Sequence, residues 1–121
     1  MGIRVLIAED HTMVRQGLRA LLDREGFDVV GEVSNGHEAV ESSAEADPDV
    51  VVMDISMPVL DGIEATRLIT ELIPAPCVLM LTGSNSKYDV DRSREAGASG
   101  YITKDRIAAE LVEAILELAE R

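Results

Sequence analysis

The chain has 121 residues, 46% of them hydrophobic and 2% aromatic, which suits one domain with an aliphatic core. Its net charge of −12 repels phosphate backbones, which speaks against direct binding of DNA or of an anionic membrane. The single cysteine, Cys77, rules out an internal disulfide framework and fits a reducing, cytoplasmic setting. No apolar run approaches the length of a membrane span.

Ile3 to Ala8 is almost continuously apolar and runs into Glu9-Asp10, as a buried strand delivering two acids would. After His11, Val14, Leu18, Leu21 and Leu22 recur at helical spacing, with Asp10 or Thr12 expected to cap the start and Gly26 to close the end. Phe27 to Val33 reads as a second strand, weakened by Gly31. Asn35-Gly36 reads as a turn, and Glu38 to Ala46 as a helix with Ala39 and Val40 inward, stopped by Asp47-Pro48-Asp49. Val50 to Met53 is apolar at every position, the pattern of a strand covered on both faces, and it ends in Asp54.

Pro58 and Gly62 then punctuate a loop that they shape, with Asp61 placed to cap the next helix. That helix is expected over Gly62 to Leu72, with Ile63, Leu68 and Ile69 inward and Pro74 and Pro76 beyond it. Cys77 to Leu81 is a fourth apolar strand ending at Thr82, in which Cys77 reads as a small core residue. Asn85 to Ala96 reads as a helix whose few apolar anchors, Val90 and Ala96, predict mobility. Tyr101-Ile102 is a short fifth strand ending at Thr103-Lys104. Ile107, Leu111, Ile115, Leu116 and Leu118 mark the apolar face of a last helix, Ile107 to Ala119.

Strands and helices alternate strictly with short connections, which predicts a parallel sheet with helices on both faces and no second domain. All carboxyl ends of such a sheet point one way, and ligands bind there. One rim would therefore collect Glu9, Asp10, Asp54, Thr82 and Lys104. Singly, each has an ordinary explanation: acids cap helices, threonines end strands, and rim lysines are solvated. Jointly they make a problem of charge. Two carboxylates about 4 Å apart repel by about 4 kcal/mol at an effective dielectric near 20. A hard divalent cation such as Mg²⁺ removes the problem and keeps positions open for a phosphate. Asp54 could then attack phosphorus while Thr82 and Lys104 hold phosphoryl oxygens. His11 and His37 raise the thought of a transition-metal site; with no partner at ligand spacing, His11 reads as a loop residue.

With these residues in place the chain resembles the receiver domain of bacterial two-component response regulators. The motifs are Glu9-Asp10, Asp54, Met57-Pro58-Val59-Leu60-Asp61-Gly62, Thr82-Gly83 and Lys104, and the likeness spans nearly all of residues 1–121. It implies the flavodoxin-like, CheY-like α/β fold: a doubly wound five-stranded parallel sheet of order 2-1-3-4-5 with five helices. It implies phosphorylation of Asp54 by a sensor histidine kinase, with Mg²⁺ held by Asp10, Asp54 and the Ser56 backbone carbonyl, and by Glu9 through water. Lys104 and Thr82 would assist the transfer, and Thr82 and Tyr101 would form the switch pair. Tyr101 has a plainer reading too, as half-buried packing at a strand end. Ser56 and Ser84 stand near enough to Asp54 to influence the phosphoryl lifetime. Asp105 stands where many receivers have a proline after this lysine, often with a cis peptide.

The stretches Glu9 to Leu18 and Tyr101 to Asp105 resemble the LuxR/NarL-type subfamily, whose receivers carry a helix-turn-helix domain. The expected role is thus phosphorelay signalling that controls transcription through a DNA-binding domain lying outside this chain, with dimerisation on phosphorylation. The alternative is a stand-alone regulator acting by protein contacts. A phosphohydrolase would need a cap, for which no insertion is long enough. A flavodoxin would need a phosphate loop where Glu9-Asp10-His11 stands.

Overall fold

The computed structural model describes residues 2–83 and 86–120. Strands β1 (Arg4–Ala8), β2 (Asp28–Val33), β3 (Val50–Asp54), β4 (Cys77–Thr82) and β5 (Gly100–Thr103) alternate with helices α1 (Thr12–Arg24), α2 (Gly36–Ala46), α3 (Gly62–Ile69), α4 (Lys87–Glu95) and α5 (Ile107–Ala119). The sheet is parallel throughout, in the order β2-β1-β3-β4-β5. The expected fold is therefore the one observed.

Alternation within the strands divides the core into two. Val5, Ile7, Val50, Val52, Leu79 and Leu81 face α1 and α5, where Leu18, Leu22, Leu111 and Ile115 cover them. Leu6, Ala8, Val51, Met53, Val78 and Met80 face the other way, onto Ala39, Ile63, Ala65, Ile69 and Ala96 from α2, α3 and the end of α4. The central strand β3 is buried along its whole length because both faces carry helices.

Several local expectations change. Asn35 is the N-cap of α2, not part of a free turn: its side chain accepts the Glu38 N–H at 2.9 Å, and Gly36 is already helical. Neither Asp10 nor Thr12 caps α1; His11 occupies that position without a side-chain cap bond. Helix α3 ends at Ile69 rather than Leu72. Leu68 is 43% exposed and Leu116 36% exposed, so neither joins the core. Each stands next to a buried residue, Ile69 or Ile115, and consecutive helical positions point about 100° apart. Cys77 is half-buried, with its Sγ 3.7 Å from the Leu118 carbonyl. The proposed start of α4 at Asn85 lies outside the described residues. From Lys87 onward the helix is short, and Ser93 is its one buried residue.

Candidate functional site

Asp54 is the last residue of β3, and the backbone beyond it is tightly fixed. The Ile55 N–H donates to the Leu81 carbonyl at 3.0 Å, and the Gly62 N–H returns to the Ile55 carbonyl at 2.8 Å. A Cβ on Gly62 would lie 2.1 Å from the Asp54 carbonyl oxygen, so only glycine allows helix α3 to start this close to the strand end. Asp61 caps α3 by accepting the Glu64 N–H at 2.9 Å, as expected. Between them Val59 is held at φ 69°, an unfavourable setting for a β-branched residue, with its side chain exposed.

Around Asp54 the rim assembles much as the strand ends predict. Asp54 is 2% exposed and Glu9 fully buried. Lys104, from the single 3-10 turn Lys104–Arg106 that follows β5, places its Nζ 3.1 Å from Glu9 Oε1 and 3.3 Å from Asp54 Oδ1. The peptide after Lys104 is trans, and the lysine reaches both acids from it. The Ser56 N–H points to Asp54 Oδ1 at 3.4 Å. Glu9 Oε2 accepts the His11 N–H at 3.0 Å, and Arg15 donates to the Glu9 carbonyl at 2.8 Å. Asp10 sits at the mouth, half-buried.

Charge is unevenly met in this cluster. Burial raises the Asp54 pKa, the nearby Glu9 charge raises it further, and Lys104 only partly offsets them, leaving it at about 6. Burial would raise Glu9 as well, but the His11 N–H and Lys104 outweigh it and hold Glu9 below the usual carboxylate range. Lys104 loses hydration, yet its acidic partners keep its pKa above the ordinary lysine value. Asp54 Oδ2 and Asp10 Oδ1 are buried and find no hydrogen-bond partner among the described residues. Buried carboxylate oxygens without partners, on acids whose ligand atoms lie within 4.8 Å of one another, fit a hard cation, whose preferred ligands they are.

The two other rim residues reach the same edge through their strands. Thr82 is buried, one residue past Leu81, the register neighbour of Asp54. Tyr101 pairs in register with Met80 and packs, half-buried, against the core on the α2–α3–α4 side. Ser84 lies outside the described residues. His11 is the exposed residue before α1, as the loop reading expects, and its ring also approaches the acids. Its side chain is exposed, with Nδ1 3.3 Å from Glu9 Oε2 and 3.4 Å from Asp10 Oδ1. Its position next to the acid pair was the available signal.

A buried aspartate at the centre of a parallel sheet, flanked by two acids and a lysine, defines a receiver site, and the chain belongs to the response regulator receiver domain family, whose model matches residues 5–116. It is 44% identical over 115 residues to the transcriptional regulatory protein LnrK of Bacillus subtilis, an alignment covering 94% of this chain and 52% of LnrK. The chain thus spans about half the length of that relative. It is also 40% identical to the chemotaxis protein CheY of Halobacterium salinarum, covering 98% of both chains. Among solved structures, a LuxR-family two-component response regulator from Aurantimonas sp. SI85-9A1 superposes with a TM-score of 0.91 at 41% identity, covering 100% of this chain and 88% of that one. The similarity to LuxR-family regulators agrees with the subfamily expected from the residues after β1 and β5. Among the described residues no helix is long and apolar enough to cross a membrane.

Proposed function

We propose that this domain is a phosphorylation switch in which Asp54 accepts a phosphoryl group from a phosphohistidine on a sensor kinase. The observation that carries the reading is the partnerless Oδ2 of a buried aspartate beside two further acids and a lysine. Asp54 attacks phosphorus, the nitrogen–phosphorus bond of the donor breaks, and the electron pair stays with the donor imidazole. Mg²⁺, when bound, neutralises the approaching phosphoryl oxygens. Asp10, Asp54 and the Ser56 carbonyl would hold it directly and Glu9 through water. Lys104, already 3.3 Å from Asp54, turns from the carboxylate to a phosphoryl oxygen as the carboxylate charge is lost. Thr82 donates its hydroxyl to another, and Tyr101 turns inward behind it.

The domain in this reading promotes its own phosphorylation and dephosphorylation and turns over no separate substrate. Its output is transcription, through a DNA-binding domain outside this chain and through dimerisation, and its setting is the cytoplasm. The near-complete alignment with halobacterial CheY supports the second reading, a stand-alone regulator acting on partner proteins. The test is intact-mass analysis after incubation with acetyl phosphate and Mg²⁺. One phosphoryl group should be gained by the wild type, and none by Asp54→Asn or in the presence of a chelator. Labelling that survives in Asp54→Asn would contradict the proposal.

A further inference from the structure

His11 stands at the exposed head of α1, yet its ring faces the acids. Glu9, Asp10, His11 and Asp54 each offer one ligand atom, and all of these atoms lie within 4.8 Å of one another. A tetrahedral ion with bonds of about 2.05 Å sets its ligand atoms about 3.3 Å apart. The two His11 separations, 3.3 Å to Glu9 Oε2 (also a hydrogen-bond contact) and 3.4 Å to Asp10 Oδ1, match two of the six edges of such a tetrahedron. An octahedral Mg²⁺ shell, with bonds of about 2.0–2.1 Å, has shorter adjacent edges of about 2.9 Å and takes oxygen alone. Independently of the histidine, Asp54 is 2% exposed and its Oδ2 has no hydrogen-bond partner among the described residues. Carboxylates alone suit Mg²⁺, whereas an imidazole added to them shifts preference towards first-row transition ions.

We propose that His11 supplies a nitrogen ligand that makes this acidic cluster a site for a transition dication of the Zn²⁺ class, with Glu9, Asp10, His11 and Asp54 as the four donors. The inference rests on reading the cluster as a cation site and adds to that reading a second metal class. Four protein donors complete a tetrahedral shell, so this ion leaves no open position for a phosphate, unlike Mg²⁺. It also engages the carboxylate that the phosphoryl group needs. Zn²⁺ therefore opposes labelling of Asp54.

The experiment is calorimetric titration of the full chain with Zn²⁺ and with Mg²⁺, separately, for the wild type, His11→Ala and His11→Gln. Co²⁺ absorption serves as the probe of geometry. The imidazole is exposed, so both variants should keep the fold. Removing a supporting group around a metal costs about 10–100-fold in affinity, and removing a direct ligand costs no less. Zn²⁺ affinity should therefore fall at least about tenfold in both variants while Mg²⁺ affinity stays put. Co²⁺ should give the intense visible band of tetrahedral coordination in the wild type and lose it in the variants. Equal Zn²⁺ affinity in all three proteins, or a weak octahedral Co²⁺ band indifferent to His11, would overturn the inference while leaving the Mg²⁺ reading intact. A wild type that binds Zn²⁺ but not Mg²⁺ would support it while removing the Mg²⁺ reading. A wild type that binds neither metal would remove both.

Discussion

Along β3, Val50 to Met53 and Asp54 are almost equally buried, but the same burial has opposite consequences. The four apolar residues sit between helices on both faces and lose only contact with water. Asp54, one position later, loses hydration beside Glu9 with only part of a lysine's charge in return. Hydrophobic burial stabilises the fold by roughly 25 cal/mol per Å². An incompletely paired buried carboxylate opposes it. The strand is thus a rigid mount with a strained end, and in the proposed function a cation with a phosphoryl group would relieve that end.

The sharpest break of the contrast comes from substitutions on its two sides. Leu111→Ala or Ile115→Ala, in the fully buried core under α5, should cost about 2–5 kcal/mol in urea unfolding. Asp54→Asn should do the reverse and stabilise the metal-free protein at neutral pH, by at most about 3 kcal/mol if the full shift is realised. The sign follows from protons. A carboxyl whose pKa rises from 3.8 unfolded to about 6 folded binds more protons in the native state across that window. Its contribution to stability therefore falls as pH rises from about 4 to about 6.5. Glu9 works oppositely, since its lowered pKa contributes stability above its unfolded value that is lost on acidification. The difference between the wild type and Asp54→Asn isolates the aspartate and should widen over that window in denaturation curves at several pH values.

The smallest expected effect lies in the loop beside the site. Val59→Asn removes a β-branched side chain from φ 69° and should raise stability by about 1 kcal/mol, read as a higher urea midpoint at unchanged slope. A neutral or destabilising result would mean that the loop is not strained as its backbone indicates.

The parallel sheet was legible because four strands are nearly continuous apolar runs ending in polar residues, a pattern that states burial and direction together, whereas the strand order came only from the family resemblance, since burial does not say which strands are neighbours. The rim was legible for the same reason: parallel strands deliver their last residues to one edge. Asn35-Gly36 was misread because the pair that marks a tight turn also suits a helix N-cap and first residue. Leu68 and Leu116 were misassigned because composition does not say which of two adjacent apolar residues faces inward. His11 was discounted because ligand spacing was sought along the chain. The approach of its Nδ1 to Glu9 and Asp10 is a three-dimensional fact.

The most direct test of the strained-end account is urea unfolding of the wild type and Asp54→Asn with and without Mg²⁺, at about pH 5 and about pH 7.5. The account predicts that Mg²⁺ stabilises the wild type markedly at the higher pH and less at the lower, where Asp54 holds a proton. Asp54→Asn should respond weakly at both. Equal stabilisation of the two proteins by Mg²⁺, or none in either, would contradict it.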